Sequence, residues 1–293
     1  MKILAFDVGG TTIKGGLVDE KLKIEEKFTE DTPKREDTFL SLIEEIYNRF
    51  SDETHKVSLG MPGFVDKDNH IFKYGTNMKF SIDFKKLGFT EQKKIYLEND
   101  GNLAAYSEYL LHFKNDYKNL IMLTFGTGVG GGIIYNSEIF EGSGNAGEIG
   151  RILINEKSYL EDVISAKVWT KKCQELYDIN KETKLSKIFF EEKVGSLLFD
   201  RSIDLEDYEE FARDEIIQTT SNALISLFEL FDNDIFVLGG SMTKTPYDFI
   251  LLLDEYISTN FEFPNRNFPK IKLSKAREDS GMLGAALLAL NSE

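Results

Sequence analysis

Short apolar segments that end in glycine-rich turns alternate along the chain with longer amphipathic segments. Lys2–Val8 is an apolar run bounded by Gly9-Gly10, and Leu120–Phe125 is a second apolar run followed by a glycine-rich stretch. Both have the length and boundaries of a buried β-strand. The apolar residues of Glu36–Phe50 recur at helical spacing, which predicts an amphipathic helix.

The same criteria predict the other elements. Strands are expected at Ile13–Asp19, Leu22–Thr29, Val57–Gly60, Ile95–Glu98, Ile133–Tyr135, Glu138–Phe140, Ile235–Leu238 and Ile271–Leu273. Helices are expected at Leu103–Phe113, Ser158–Leu176, Leu205–Phe231, Tyr247–Ile257 and Ser280–Leu290. Strands that alternate with helices in this way indicate an α/β protein.

Length and an internal repeat indicate two domains. A chain of 293 residues is long for one ordinary domain. The segments LAFDVGGTTIKGGLVD and LTFGTGVGGGIIYNSE share one plan, a strand, a Gly/Thr turn and a second strand, which suggests two copies of one unit facing each other. Chain termini often lie close together. We therefore expect residues 1–115 plus 280–293 to form a smaller N-terminal domain and residues 116–279 a larger one.

Charge and cysteine content exclude several classes of protein. The net charge of −15 argues against nucleic acid and against an anionic membrane surface as partners. The single cysteine, Cys173, rules out an internal disulfide. The first residues are typical of a strand rather than a signal peptide, and the chain has no long apolar run. We therefore expect a cytoplasmic protein.

The first chemical motif is the segment Asp7–Lys14 (DVGGTTIK). Its glycines allow close backbone approach to a phosphate, and its threonines can donate hydrogen bonds to it. Asp7, at the end of the strand, can hold Mg²⁺ directly or through water. The spacing of a P-loop is absent, and a strand follows where a P-loop has a helix. The alternative is an ordinary glycine-rich hairpin turn.

Two further glycine-rich segments follow strands. Thr124–Gly132 has five glycines in the seven residues from Gly126 to Gly132, more than a turn needs. Leu238–Ser241 (LGGS) lies at the carboxyl end of a strand, where ligands bind in α/β sheets. Taken alone, the second of these is a weak signal, and a simple strand-to-loop turn is the favoured explanation.

Two polar segments carry candidate sugar-binding groups. Leu97–Asn102 (LENDGN) joins a strand to a helix, and an aspartate such as Asp100 can accept the proton of an attacking hydroxyl. Helix capping by Asn99 or Asp100 is the alternative role. In Gly142–Gly150 (GSGNAGEIG) small residues flank Glu148 and leave room for a ligand. A solvated loop acid is the alternative there.

These motifs occur in the order seen in the ROK family of bacterial sugar kinases, within the actin/hexokinase-like ATPase superfamily. The resemblance covers essentially the whole chain. DVGGTTIKGGLVD and GTGVGGGII resemble the family's phosphate motifs, and ENDGNLAAYSE resembles its catalytic segment. GNAGEIG and YLEDVISA resemble its sugar-site signature, and VLGGSM its adenosine motif. The implied fold is two actin-like ATPase (ribonuclease H-like) domains with a cleft between them.

The resemblance implies a role for each matching residue, in an enzyme that transfers phosphate from Mg²⁺-ATP to a sugar. Asp100 would be the general base, and the groups that contact the sugar would be Gly63, Asn77, Asn99, Asp100, Glu148, Arg151 and Glu161. Asp7 would serve Mg²⁺. The groups around the nucleotide would be Gly9, Gly10, Thr11, Thr12, Lys14, Thr127, Gly128, Gly239 and Gly240. Domain closure would exclude water, so that ATP is not hydrolysed.

The chain departs from the family pattern at Arg151. Many members have a histidine there that binds a structural zinc together with a cysteine-containing loop. Here Asn155–Leu160 contains no cysteine, so we expect no zinc. We hypothesise that Arg151 pairs with Glu161 and holds the shortened loop in place of zinc. A solvated arginine is the alternative.

Several points stay open at this stage. Asn77 is as readily a turn residue as a sugar ligand. Glucose or another hexose competes as substrate with N-acetylmannosamine, fructose and β-glucosides; the shortened loop favours β-glucosides modestly, and the family expectation is the 6-hydroxyl. A non-catalytic sugar or nucleotide binder and a DNA-binding repressor of the same family are the other classes, and the repressors carry an N-terminal segment that is not expected in this chain. A homodimer is expected, with Leu205–Phe231 or the surface around Phe261 and Phe263 as interface.

Overall fold

The computed structural model describes residues 1–76, 78–91, 93–240, 248–275 and 279–292. The chain divides into two compact units. The first consists of Met1–Asn115, Glu138–Gly147 and Ala276–Glu293, and the second of Asp116–Ser137 and Glu148–Lys275. The segment Glu138–Gly147, which lies within the second domain of the sequence-based division, groups with the first unit.

A five-stranded sheet forms the centre of the first unit. The strands are β1 (Lys2–Val8), β2 (Thr12–Asp19), β3 (Ile24–Asp31), β4 (Lys56–Met61) and β8 (Ile95–Asn99). Their order across the sheet is β3-β2-β1-β4-β8. The first three strands pair antiparallel, whereas β4 runs parallel to both β1 and β8. The carboxyl ends of β1, β4 and β8 therefore meet at one edge of this sheet.

Alternation along β1 gives the sheet an apolar surface on each face. Leu4 and Phe6 are buried in a cluster with residues of helix α1 (Glu36–Phe50). Ile3 and Ala5 are buried in a separate cluster with residues of helix α8 (Ser280–Asn291). Side chains of a strand point alternately to its two faces, so β1 supports both layers. Helix α2 (Asp100–Glu108), extended by a π-helical turn at Tyr109–Phe113, contributes Leu103 to the second cluster.

A small antiparallel sheet also lies in the first unit. It consists of β5 (Phe64–Asp66), β6 (Ile71–Tyr74) and β7 (Ile82–Asp83), and a 3₁₀ turn follows at Phe84–Lys86. These strands are absent from the sequence-based assignment, because two to four residues are too few to show a period of two.

The second unit repeats the strand plan of the first. Strands β9 (Leu120–Phe125) and β10 (Val129–Tyr135) form an antiparallel hairpin, as β1 and β2 do. Strand β12 (Ile235–Gly240) pairs parallel with β9, and β13 (Lys270–Leu273) pairs parallel with β12. The internal repeat predicted from the two glycine-rich segments is confirmed. Strand β11 (Glu138–Ile139) begins the segment that groups with the first unit.

The helices of the second unit pack around an aromatic core. They are α3 (Glu161–Ile164), α4 (Ala166–Ile179), α5 (Lys184–Glu192), α6 (Asp207–Phe231) and α7 (Asp248–Asn260). A 3₁₀ turn covers Gly195–Phe199. Trp169 of α4 contacts the rings of Phe125, Phe199 and Phe249. These four rings are fully buried, and their packing fixes α4 against the end of β9.

The continuous helix predicted at Ser158–Leu176 is wrong. Residues Leu153 and Tyr159 form an antiparallel bridge, and the chain enters α3 only at Glu161. Ser165 then interrupts the helical path with extended backbone, φ −72° and ψ 151°. Helix α5 is absent from the sequence-based assignment. Phe263, expected at an interface surface, is partly buried and packs on Phe228 at the edge of the core of the second unit.

Candidate active site

Asp100 is the first residue of α2, directly after the carboxyl end of β8. The Asn99 side chain caps the helix by accepting a hydrogen bond from the backbone N–H of Asn102, at 3.1 Å. The Asp100 Oδ1 accepts the N–H of Gly101 at 2.8 Å. A carboxylate at a helix N-terminus is stabilised in its ionised form by the helix dipole. The capping role predicted as an alternative for Asn99 is confirmed.

Asn99 also connects this turn to Gly63. Its Nδ2 donates to the carbonyl oxygen of Gly63 at 3.2 Å. Gly63 has φ 149°, and a Cβ there would lie 2.4 Å from the Tyr74 carbonyl oxygen, so a side chain does not fit. The structure therefore brings Gly63, Asn99 and Asp100 together in the first unit. Asn77, the other residue expected on this side of the sugar, lies outside the described residues.

The Gly9–Thr12 turn is held by its neighbours. The Gly9 N–H donates to the Thr12 carbonyl at 2.9 Å, and the Thr32 hydroxyl donates to the Gly9 carbonyl at 2.7 Å. Lys34 Nζ donates to the Gly10 carbonyl at 2.6 Å. Thr11 is exposed. The glycine-rich pattern identifies the turn but not its contacts with Thr32 and Lys34, because these two residues follow β3, about 20 residues later in the sequence.

Asp7 lies half-buried beside this turn, at the end of β1. Its carboxylate packs against Gly281 of α8, where a Cβ would lie 2.5 Å from the Asp7 Cγ. Burial raises the pKa of Asp7, and the charge of Lys14, its partner across β1 and β2, partly offsets that rise. A desolvated carboxylate gains stability from a bound cation, so Asp7 fits the role of a Mg²⁺ ligand.

In the second unit, Glu161 lies against the turn between β9 and β10. Its Oε2 accepts the N–H of Val129 at 3.3 Å, and a Cβ on Gly128 would lie 2.3 Å from the same oxygen. The turn itself is closed by the Gly126 N–H, which donates to the Gly128 carbonyl at 2.9 Å. Thr127 is exposed at its tip. A residue expected at the sugar, Glu161, therefore contacts the turn that carries two residues expected at the phosphates, Thr127 and Gly128.

Glu148, Glu161 and Arg151 form a charged group in the second unit. Arg151 Nη1 lies 3.8 Å from Glu161 Oε1. The pKa of Glu148 is raised first by partial desolvation and then by the charge of Glu161, while Arg151 lowers it. Glu148 stays accessible to solvent. Two carboxylates held close to one guanidinium provide several hydrogen-bond acceptors for a polyhydroxyl ligand.

A short hairpin follows Arg151, at the place where a shortened loop is expected from the sequence. The Leu160 N–H donates to the Ile152 carbonyl at 2.8 Å, and the Ile154 N–H donates to the Ser158 carbonyl at 3.1 Å. The Arg151 guanidinium lies 4.0 Å from the centre of the Tyr159 ring. Arg151 thus contacts both the hairpin and Glu161. The hypothesis that it pairs with Glu161 agrees with this geometry.

Gly239 and Gly240 end strand β12. A Cβ on Gly239 would lie 2.7 Å from the Met122 Cε, and Gly240 has φ 74° with its backbone close to Phe125. The position of Gly240 therefore favours glycine, whereas the atom nearest to a Cβ on Gly239 is the end of a flexible side chain. Ser241 and Met242, which complete the predicted adenosine motif VLGGSM, lie outside the described residues.

A cavity of about 320 Å³ opens beside Gly126 and Thr127 in the second unit. Its wall includes Lys167 and Thr170 of α4, together with Lys193 and Gly195. The Trp169 indole also lines it, and its buried Nε1 has no hydrogen-bond partner among the residues that the structure describes. No local pattern predicts this cavity, because its walls come from three separate segments.

Metal-binding clusters and membrane-spanning helices are both absent from the described residues. Within residues 1–76, 78–91, 93–240, 248–275 and 279–292, no cluster of three or more His, Cys, Asp and Glu side chains is arranged to hold a metal ion. The expectation of no zinc stays a prediction. None of the helices in the described part of the chain is long and apolar enough to cross a membrane.

A sequence model of the ROK family matches residues 3–292. The chain belongs to the ROK family. Among curated relatives, glucokinase of Thermotoga maritima is 27% identical over 98% of this chain and 96% of its own length. N-acetyl-D-glucosamine kinase of Mannheimia succiniciproducens is 28% identical over 98% of this chain and 99% of its own. These full-length relatives support the predicted class of sugar phosphotransferase.

A solved structure of the family shares the fold. It is a ROK glucokinase from Streptomyces griseus in complex with glucose and AMPPNP, with a TM-score of 0.79. The two chains are 21% identical, and the match covers 98% of this chain and 99% of that one. The predicted ROK family membership and actin-like ATPase fold are confirmed.

Proposed function

We propose that this ROK-family protein is an ATP-dependent sugar kinase that transfers the γ-phosphate to a hexose hydroxyl. The observation that carries the proposal is Asp100, held at the start of α2 by the Asn99 cap, whose side chain also donates to the Gly63 carbonyl. Phosphoryl transfer requires a positioned acceptor hydroxyl more than covalent catalysis by the protein. A carboxylate in this place can orient that hydroxyl and accept its proton.

In this mechanism Asp100 accepts the proton of the sugar hydroxyl as its oxygen bonds to the γ-phosphorus. The bond from the γ-phosphorus to the bridging oxygen breaks, and ADP leaves. By the family resemblance, Asn99 and the Gly63 backbone orient neighbouring hydroxyls of the sugar, and Glu148 and Glu161 bind further hydroxyls. The 6-hydroxyl is the acceptor that the family resemblance favours.

The glycine-rich turns supply the nucleotide contacts. Gly9–Thr12 and Gly126–Gly128 present backbone N–H groups and threonine hydroxyls, which suit phosphate oxygens. The cavity beside Thr127, with Lys167 and Lys193 in its wall, suits the rest of a nucleotide, and Gly239 and Gly240 flank the adenosine. Asp7 holds Mg²⁺, which neutralises phosphate charge when it is bound.

Free hexoses, N-acetylhexosamines and β-glucosides are the three candidate classes of sugar substrate. Relatives named for glucose and for N-acetylglucosamine match over the full chain. The hairpin at Ile152–Leu160 shortens the segment beside Glu148 and leaves β-glucosides as a further candidate.

The expected homodimer is a separate proposal, and exposed Phe211 and Leu230 of α6 support it. Analytical ultracentrifugation at micromolar protein concentration tests the dimer. The cytoplasmic location stays a prediction.

The proposed activity is tested by ADP release from Mg²⁺-ATP with glucose, mannose, fructose, N-acetylglucosamine, N-acetylmannosamine and cellobiose. Turnover on one sugar that Asp100→Asn abolishes supports the kinase. Asp52→Asn, an exposed acid in a loop, is the matched control and is expected to keep full activity. Sugar binding without turnover would instead indicate a non-catalytic sensor.

A further inference from the structure

Glu98 is a buried carboxylate directly before Asn99 and Asp100. Its relative exposure is 2%. Its Oε1 accepts two hydrogen bonds, from the backbone N–H of Asn99 at 2.8 Å and from the Asn102 Nδ2 at 3.0 Å. Glu98 therefore contacts both ends of the turn that carries Asp100. Neither the sequence pattern nor the proposed mechanism gives this residue a role.

Lys67 provides the positive charge that Glu98 needs. It follows strand β5, and its Nζ forms an ion pair with the Glu98 Oε2. A buried carboxylate without a counter-charge is strongly disfavoured in its ionised form. The ionised form accepts hydrogen bonds most strongly. The Lys67 ammonium therefore supplies the counter-charge for the carboxylate that accepts hydrogen bonds from Asn99 and Asn102.

The same ammonium also binds a second segment. Lys67 Nζ lies 2.5 Å from Glu141 Oε1. The Glu141 carbonyl accepts the N–H groups of Gly144 and Ala146, at 2.8 and 3.1 Å, and so starts the turn of Gly142–Gly147. Gly144 packs against β5, where its Cβ would lie 3.2 Å from the Val65 carbonyl oxygen. The Lys67 side chain thus connects the Asn99–Asn102 turn, through Glu98, to the glycine-rich segment that precedes Glu148 in the chain.

We propose that Lys67 is a positioning residue for phosphoryl transfer. Through Glu98 it fixes the orientation of the Asn99–Asn102 turn and hence of Asp100, and through Glu141 it fixes the segment that leads to Glu148. This inference rests on the proposed kinase activity. Lys67 contacts no reacting atom in the proposed mechanism, so its effect is on the alignment of the base rather than on nucleotide binding.

The test begins with Lys67→Met. We expect kcat to fall by about 10-fold to 100-fold, the loss typical of a base displaced by a fraction of an ångström to an ångström. The KM for ATP is expected to stay within about twofold, because the nucleotide contacts do not involve this network. Lys67→Arg keeps the positive charge and is expected to recover most of the activity.

A double variant separates positioning from general damage. In Glu98→Gln the amide oxygen can still accept from Asn99 and Asn102, and no buried charge remains. Lys67→Met combined with Glu98→Gln is therefore expected to recover much of the kcat that Lys67→Met loses. Lys73→Met is the matched control, because Lys73 pairs with Asp66 at 2.9 Å in the same small sheet and does not contact Glu98.

Hydrogen exchange provides a readout that does not depend on the proposed activity. The backbone amides of residues 99–102 are expected to exchange faster in Lys67→Met and at the wild-type rate in Lys73→Met. A kcat within twofold of wild type in Lys67→Met would overturn the proposal, as would no recovery in the double variant. If the wild type transfers no phosphate while the exchange rates behave as expected, the proposed function fails and the positioning of the turn stands.

Discussion

Arg151 Nη1 lies 3.8 Å from the Oε1 of Glu161, across the base of the Ile152–Leu160 hairpin. The guanidinium also stacks over the Tyr159 ring at 4.0 Å. These two contacts connect the segment that carries Glu148 to the start of α3. They involve the position at which many members of the family have a zinc-binding histidine. A planar cation in contact with a ring and a carboxylate can hold a short hairpin without a metal ion.

Arg151→Ala is expected to lower the free energy of unfolding by about 1 kcal/mol, the sum typical of one exposed ion pair and one cation–π contact. It is also expected to raise the KM for sugar, because Glu161 loses a partner that orients it. Thermal unfolding and sugar kinetics measure the two effects. If both stay unchanged, the hairpin does not depend on Arg151.

Asp100→Asn is expected to reduce kcat by about 100-fold to 10,000-fold, the range for loss of a general base. The amide keeps the size of the side chain, so sugar binding measured by calorimetry is expected to persist. An enzyme that retains near-normal kcat with asparagine at this position would remove Asp100 from the mechanism. Asp52→Asn serves again as the control.

Gly281→Ala is expected to displace the Asp7 carboxylate, because its Cβ would lie 2.5 Å from Cγ of Asp7. The expected result is a higher Mg²⁺ concentration for half-maximal rate, with little change in the KM for sugar. Gly88→Ala is a matched control, since the nearest atom to its Cβ is the end of the flexible Glu44 side chain. An unchanged Mg²⁺ dependence in Gly281→Ala would argue against Asp7 as the metal ligand.

Lys167→Glu is expected to raise the KM for ATP by about tenfold, because it places a negative charge in the wall of the cavity proposed for the nucleotide, beside the Gly126–Gly128 turn proposed for its phosphates. The KM for sugar is expected to stay unchanged. Lys171→Glu on the same helix is the control, because Lys171 is outside the cavity wall and pairs with Glu175 at 3.3 Å. Equal effects of the two variants would mean that the cavity does not bind the nucleotide.

The raised pKa of Glu148 makes a prediction about stability and pH. The folded state binds the Glu148 proton more tightly than the unfolded state, so this group lowers stability as pH rises from its ordinary pKa through its raised value. Glu148→Gln is therefore expected to be more stable than wild type at pH 7, with the gain vanishing below about pH 4. Urea unfolding at both pH values measures this.

We also expect Glu148→Gln to weaken sugar binding. Glu148→Gln replaces a charged acceptor of hydroxyl groups, so the KM for sugar is expected to rise. Glu191→Gln, at an exposed position of α5, is the control for a change of one charge. A stability difference that is the same at both pH values would show that the carboxylate of Glu148 is not strained in the folded protein.

Most of the regular structure could be predicted because its patterns are long and local. Helix α1 and strands β1 and β9 have the predicted ends, since continuous apolar runs and a strong helical period define them. The segment before α4 could not be predicted in the same way. Its helical composition is overridden by the Leu153–Tyr159 bridge and by the extended backbone at Ser165.

The candidate site was predictable where a motif is contiguous. Asn99 and Asp100 stand together in the chain, and the two glycine turns are evident from their composition. The role of Lys67 could not be predicted from the sequence, because Lys67 lies 31 residues from Glu98 and no local pattern relates them. The cavity beside Thr127 was missed for the same reason. Tertiary contacts between polar residues far apart in sequence leave no periodic pattern along the chain.

The packing of α8 has a consequence for synthesis on the ribosome. The face of β1 formed by Ile3 and Ala5 is covered by Ala285, Ala286 and Ala289. Gly284 lets α8 approach α2 so closely that a Cβ at this position would lie 2.2 Å from the Leu103 carbonyl oxygen. The whole second unit is translated before α8. One apolar face of the first unit is therefore uncovered until α8 has been synthesised, and a nascent chain of this protein is a predicted client of chaperones up to that point.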